Sequence, residues 1–349
     1  MTAPTVLVVG AGISGLACAR ALRTAGNGID VRVVGRARGP GGRMATRRLH
    51  DRPVDLGAAY FTVPSGSAFG RVADGWHERG LARPWTDTFQ VVDAASYRST
   101  SPRSADARSA SARSADSTVG TPTTGPLRHA APAGLRSLVA DLADELIRDF
   151  AVGIDLEHHV SRITVDGTVD GERFDAVVLA MPDPQAKRML DPAAPASALL
   201  EGAAAWEPTL AVALGFPSRN WPTGFHGAFI ENSPVLSFVA DDGDRRGDDA
   251  PVLVAHTTAA FARNHLEHPV AAGDEVARAV TDALGLDTPP DWTHVHRWSF
   301  ARPASTHPEP YLWAGGVGVC GDGWGPRSSV SQAWASGDAL GREVAGSLG

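Results

Sequence analysis

Apolar and polar positions change period several times along the chain. Thr5-Val-Leu-Val-Val9 is a β-branched run with the character of a buried strand, and it ends at Gly10. Leu16 to Thr24 follows as a helix and Asp30 to Val34 as a second strand, so the chain opens as strand, glycine turn, helix, strand. Between Ser96 and Thr124 the pattern breaks. That tract is Ser, Ala, Arg, Asp and Thr with two near-copies of Arg-Ser-Ala-Asp, and with so little to bury it reads as a disordered surface insertion. Leu135, Leu138, Leu142 and Leu146 then share one face of a helix predicted over Leu135 to Ile147. A strand over Asp175 to Ala180 stops at Met181-Pro182. From about 186 to 307, strands (Leu210 to Phe216, Val252 to His256) mix with a helix over Val270 to Leu284. An apolar strand ends at Cys320, and Gly321-Asp-Gly323 leads into a last helix from about Ser329 to Leu348. This return to a glycine turn and helix implies that the C-terminus completes the first domain.

Gly10-x-Gly12-x-x-Gly15, with Ser14 inside it, lies between a strand and a helix, the context in which this spacing binds dinucleotides. Gly10 permits the tight turn, Gly12 lets backbone approach a pyrophosphate, and Gly15 lets helix and strand pack closely. Free N–H groups at the helix start then favour the phosphates. A structural glycine turn would give the same spacing, and NAD and FAD share it. The following Gly41-Gly42-Arg43-Met44 and Asp55-Leu-Gly-Ala-Ala-Tyr60-Phe61 separate these readings. They resemble the glycine pair plus arginine of glutathione-reductase-like and amine-oxidase-like flavoproteins, where the guanidinium meets phosphate or flavin-side acceptors. Strand two should end in a carboxylate that grips the ribose. Here Gly35 occupies that place, leaving backbone and Arg36 to hold the adenosine ribose, or Arg36 and Arg38 to favour a 2′-phosphate. Cys320-Gly321-Asp322-Gly323-Trp324 and the helix behind it form a second signature. In such flavoproteins the aspartate bonds the ribityl chain, and the helix start, at Val330, faces the flavin pyrimidine. Ser336-Gly337 matches the Ser-Gly pair expected on that helix. The motifs together point to FAD held noncovalently.

Charge and cysteine usage narrow the partners. A net charge of −7 argues against nucleic acid and anionic membrane surfaces. Two cysteines, Cys18 and Cys320, sit in unrelated apolar contexts, which argues against a disulfide framework and fits a reducing cytoplasm. No metal site is expected. His158-His159, His294 and His296 lack a carboxylate or cysteine at ligand spacing and read as strand-face residues. Asp241-Asp-Gly-Asp244 with Asp248-Asp249 reads as a solvated hairpin loop rather than a calcium loop. Lys187 is the only lysine.

A run of motifs in order along nearly the whole chain resembles the renalase family in its bacterial form. They are Gly42-Arg-Met-Ala-Thr46, Asp55-Leu-Gly-Ala-Ala-Tyr-Phe-Thr62, Ala131-Pro-Ala-Gly-Leu135, Val178-Leu-Ala-Met-Pro-Asp-Pro184, Ala255-His-Thr-Thr258, Leu266-Glu-His268, Arg297-Trp298 and Gly321-Asp-Gly-Trp324. Ala59 stands where that family usually carries glutamine beside Tyr60. The resemblance implies an α/β fold: a Rossmann-type FAD-binding domain (1–62, 128–185, 308–349) interleaved with an α+β substrate domain (63–127, 186–307). It also implies oxidation of 2- or 6-dihydronicotinamide isomers of NAD(P)H to NAD(P)+, with O2 reduced to H2O2. Tyr60, His256, Thr257 and Trp298 are the candidates for the substrate pocket, Trp298 as a wall and His256 with Thr257 orienting the carboxamide. An amine oxidase or desaturase on the same fold is the rival, and a non-catalytic flavin or nucleotide sensor a third reading. Amine oxidases commonly place a lysine on a substrate-domain strand, and Thr209 to Phe216 has none.

Overall fold

The computed structural model describes residues 3–25, 28–95, 119–201 and 205–349. A six-stranded sheet runs in the order Leu312–Ala314, Val317–Cys320, Ala176–Ala180, Thr5–Val9, Asp30–Gly35, Gly153–Leu156. All its neighbours are parallel except the first pair. Strand Thr5–Val9 has Asp30–Gly35 on one side and Ala176–Ala180 on the other, so the order reverses there. That reversal, beyond the carboxyl ends of the strands, is the point at which such sheets take their ligands. Parallel strands are covered on both faces, and this explains their unbroken apolar runs. One face meets helices Ile13–Thr24, Leu135–Phe150 and Val330–Leu348, through Leu16, Leu138, Leu142, Trp334 and Leu340. The other packs Leu7, Val177 and Val319 against Ile163, Phe174 and Trp324.

The second sheet has eight strands, ordered Trp292–Pro303, Trp206–Gly215, Val252–Thr257, Leu236–Asp241, Gly227–Glu231, Arg83–Asp93, Thr121–Ala130, Phe61–Thr62. Its far face carries Leu210, Val212, Leu214 and Leu253 under helices Ala259–Asn264 and Gly273–Leu284. Its near face carries Ala211, Ala213, Val252 and Val254 against Val54 and Leu56 of the first domain.

The elements depart from the sequence pattern in four places, the first being His158 and His159, expected on a strand face, which lie beyond the end of strand Gly153–Leu156. Thr121–Ala130 is a strand, its Thr121 to Thr124 pairing with Val91 to Thr88, because the partner strand satisfies its backbone whatever its side chains bury. The rest of the expected disordered tract, 96–118, lies outside the described residues. Helix Ala68–Glu78, in the stretch expected for the substrate half, puts Phe69, Ala73 and Trp76 into the core beneath the six-stranded sheet. Of the acidic run, Asp248 and Asp249 are an exposed loop as expected, but Asp241 to Asp244 are not. Asp242–Arg246 is a helical turn in which Asp241, Asp242, Arg245 and Arg246 are all buried. Arg245 and Arg246 lie three and four residues beyond Asp242 and pair with it, and Arg52 joins at 2.7 Å. Asp241 is met by Arg219 and by the Trp221 indole, both at 2.6 Å. Paired and hydrogen-bonded, these charges tolerate burial. Among the described residues no helix is long and apolar enough to cross a membrane, and no cluster of three or more His, Cys, Asp or Glu is placed to hold a metal.

Candidate active site

The glycines of the first turn divide their work by what surrounds them. Gly10 has φ +126°, and a Cβ on it would lie 2.5 Å from the Ala180 carbonyl oxygen. A Cβ on Gly15 would lie 1.9 Å from the Gly10 oxygen, so helix and turn touch there. Gly12 is different. It caps helix Ile13–Thr24 from an ordinary extended conformation, and a Cβ on it would meet only the Gly42 Cα, at 3.8 Å. Gly42, at φ +57°, would meet the Gly12 Cα at 3.4 Å. Two bare backbones thus form a cradle at a helix N-terminus whose first turn holds no acid, which suits a pyrophosphate. Ser14 turns away from it: its buried hydroxyl donates to the Cys320 thiol at 3.2 Å, tying helix to last strand. Burial pushes the Cys320 thiol up to about 12, so it stays protonated. Gly35 is buried, and a Cβ would come 3.1 Å from that of Ala11, so the first turn fills the space a longer residue needs. Arg36 and Arg38 are exposed beyond it.

Arg43 and Asp322 lie at opposite ends of the sequence and meet at 2.5 Å. Arg43 also donates to the Ala301 carbonyl at 3.2 Å and lies over the Trp206 ring, while Ser328 donates to the other Asp322 oxygen. Gly321, at φ +153°, donates its N–H to Ser336 at 3.1 Å. Val330 opens the last helix behind Ser329, whose hydroxyl accepts from the Gln332 N–H, and the first turn again holds no acid. The Met44 side chain is buried in the core of the first domain, and its N–H donates to the Gly41 carbonyl at 3.1 Å. Two features therefore fit FAD: the Gly12–Gly42 cradle for its phosphates, and the Asp322 turn with the free start of the last helix for its ribityl and flavin portions.

The near face of the second sheet supplies the other wall. Ala211 pairs with His256 on one side and His296 on the other, His256 pairs with Phe238, and Phe238 with Phe229. Side chains in register point the same way, so the imidazoles and phenyl rings form one row on the side of Leu56 and Trp298. Burial, reinforced by the charge of Arg245, lowers the His256 pKa to about 4. Burial, with Arg47 and His294, does the same at His296. Both rings are neutral at physiological pH. Trp298 stands on this face, and its indole donates to the Leu56 carbonyl at 2.6 Å, fastening the loop of residues 56–60 on the side where the flavin would lie. Tyr60 ends that loop among Trp85, Phe89 and Phe238. Ala59 offers its carbonyl to Arg245 at 2.9 Å.

Of the four pocket candidates, the structure brings Tyr60, His256 and Trp298 to one face and sends Thr257 to the other. The Thr257 hydroxyl accepts from the Leu210 N–H at 3.0 Å inside the far-side core, because successive strand residues alternate faces. Phe238, Phe229 and Arg245 escaped the reading of the chain. Phe238 and Ala240 alternate on one strand, a signal open to inspection; the reach of Arg245 into the flavin loop has no local signal.

Residues 8–76 match the family of NAD(P)-binding Rossmann-like domains, and residues 78–313 match the flavin containing amine oxidoreductases. Among solved structures, cyclohexylamine oxidase from Brevibacterium oxydans IH-35A superposes with a TM-score of 0.70 at 18% identity, covering 99% of this chain and 100% of that one. Putrescine oxidase bound to putrescine gives 0.68 at 16%, covering 99% of each chain. Reduced UDP-galactopyranose mutase gives 0.60 at 11%, covering 87% and 83%. Those likenesses are of fold. The family match spans most of the chain and agrees with the cradle, so the cofactor is FAD and the protein belongs to the flavin containing amine oxidoreductases.

Proposed function

We propose that this protein is a renalase-like oxidase that converts 2- or 6-dihydronicotinamide isomers of NAD(P)H to NAD(P)+, with O2 reduced to H2O2. The observation that carries the reading is the neutral, flat near-face wall of His296, His256, Phe238 and Trp298. Bound FAD, held noncovalently, supplies the two-electron acceptor and passes the electrons to O2. The residues' part is positional. Trp298 and Phe238 give flat apolar surface for a planar neutral ring, and neutral His256 offers a ring nitrogen to a carboxamide without adding charge. Loss of hydride makes the nicotinamide ring cationic and aromatic, so the substrate needs no deprotonation, and no base of raised pKa is required on this wall. Holding the ring so that its C2/C6 edge is presented excludes C4, since a misplacement of about 1 Å costs on the order of 100-fold in rate.

Amine oxidation is the second reading, favoured by the family match and by the aromatic lining around Tyr60 and Phe238. Against it, the near-face residues of strand Trp206–Gly215 are Thr209, Ala211, Ala213 and Gly215. The only lysine, Lys187, lies on helix Asp183–Met189 beside Glu201 at 3.8 Å. Rapid mixing of the oxidised holoprotein under nitrogen with 2- and 6-dihydronicotinamide isomers, ordinary NADH and a panel of primary amines tests the choice. The isomers are expected to bleach the flavin fastest. Faster bleaching by an amine, equal bleaching by ordinary NADH, or bleaching by none of them overturns the proposal.

A further inference from the structure

Among the described residues three arginines are buried, and two of them face carboxylates. Arg245 and Arg246 have Asp242 and Asp55. Arg128 is 5% exposed, and among the described residues no carboxylate oxygen comes within 4.0 Å of it. Its Nη1 is buried without a hydrogen-bond partner. A guanidinium does not shed its proton inside a protein, so this is a buried positive charge awaiting a counter-ion. What holds it is aromatic: its Cζ lies 4.0 Å from the centre of the Phe89 ring and 5.5 Å from that of Tyr60. Cation–π attraction returns part of the lost hydration and fixes the plane of the group, leaving N–H bonds along its edge for an oxyanion.

Its place in the fold is what makes this informative. Arg128 pairs with Thr62 and Thr86 in the second sheet and sits on the same face as Ala130, which packs with Phe89 and Phe238. Phe89 is 5.3 Å from Phe238, and Phe238 is 6.0 Å from His256. One aromatic wall therefore runs from His256 to Arg128, passing Tyr60 at the end of the flavin-side loop. We propose that Arg128 is the anion anchor of the substrate pocket, binding a phosphate or carboxylate of the molecule whose flat ring lies against His256 and Trp298. The inference deepens the proposed function and rests on its placing the substrate against this wall. It makes the substrate an anion and sets the pocket against cationic amines, which a buried guanidinium repels.

The test uses FAD-loaded wild-type protein, Arg128→Lys and Arg128→Met. Inorganic pyrophosphate, inorganic phosphate and benzoate are titrated against the visible spectrum of the oxidised flavin and against thermal unfolding. Separately, anaerobic flavin reduction is followed with the 6-dihydro forms of nicotinamide riboside, mononucleotide and dinucleotide. A phosphate source predicts that wild type binds the two phosphate-bearing forms about tenfold or more tightly than the riboside, as one charge-assisted pair would give. Arg128→Met is expected to lose that preference by weakening only the phosphorylated forms, and Arg128→Lys to keep part of it. An Arg128-dependent response to benzoate alone keeps the anchor and names a carboxylate as its ligand. If no dihydronicotinamide reduces the flavin, the proposed function falls, and the anion titrations still decide Arg128. Equal loss on riboside and nucleotides in Arg128→Met, or no anion response in wild type, overturns the anchor. Should Arg128→Met fail to fold, Arg128→Lys and the wild-type titrations carry the decision.

Discussion

Two glycines three residues apart in the first turn serve different ends, and the space around each says which. A Cβ at Gly15 would overlap the Gly10 oxygen, at 1.9 Å, whereas one at Gly12 would have only the Gly42 Cα near it, at 3.8 Å. Gly15→Ala is therefore expected to destabilise the protein by about 1–3 kcal/mol, the usual result of overfilling a packed contact. Gly12→Ala is expected to leave the apoprotein's melting temperature nearly unchanged and to release FAD, because its methyl occupies the cradle and little else. Calorimetry of the apoprotein together with the flavin-to-protein ratio separates the two. Unfolding of apo Gly12→Ala at a temperature as low as that of Gly15→Ala would contradict the assignment. The spacing of these glycines was legible in the chain. Their division of labour was not, since both obey the same motif.

At the scale of elements, the crossing of the first and last helices positions the two glycine turns proposed to hold the cofactor. The last helix meets the first through Gly337 and Gly341; a Cβ on Gly337 would lie 1.9 Å from the Ser14 oxygen, and one on Gly341 2.5 Å from that of Cys18. Ser336 on the same turn holds Gly321, so the helix start and the Asp322 loop move together. Gly337→Ala should push the helices apart and lower flavin retention as well as stability, because the close contact it breaks is with Ser14 of the first glycine turn. Gly346, in the same helix, has open space around it, and a Cβ there would meet nothing within 4 Å. Gly346→Ala is expected to be neutral or to stabilise by up to about 1 kcal/mol through helix propensity alone. Equal melting temperatures for the two variants would show that the close approach is not what these glycines serve.

At the scale of the molecule, a buried ionic clamp joins the helical turn Asp242–Arg246 of the second sheet's side to residues 52–59 of the first domain. Asp242 pairs with Arg245, Arg246 and Arg52, and Arg245 donates onward to the Asp55 and Ala59 carbonyls at 3.1 and 2.9 Å. Asp55 itself accepts from the Leu135 N–H at 3.1 Å, serving the unpaired start of helix Leu135–Phe150, whose own cap residue is Gly134. Burial pushes the Asp242 carboxyl upward, but the three arginines outweigh it and hold it below the usual carboxylate range. Asp242→Asn at neutral pH leaves arginines buried without their counter-charge and should cost about 3–5 kcal/mol. A depressed carboxyl contributes stability above its unfolded pKa of about 3.9 and loses it as pH falls through the folded value. Wild type and Asp242→Asn should thus differ most at neutral pH and converge in strong acid. Melting curves whose separation widens on acidification would refute this.

Local chemistry settled much of this protein from the chain alone. A β-branched run before Gly10, apolar spacing over the helix of Leu135, and glycine turns before two helices each depend on neighbours a few residues away, so these strands, helices and turns were readable there. Which residues stand together across the sheets was decided only by the tertiary structure. His256 and Thr257 are adjacent in sequence and lie on opposite faces, since register and pairing, not residue type, choose the face. Asp241 and Asp242 read as water-loving until Arg52 and Arg219 arrive from elsewhere in the chain. Arg128 is one of many arginines by composition; only its burial on Phe89 without a carboxylate beside it marks it out. Burial and long-range pairing are properties of the folded surface, and no short window of sequence contains them.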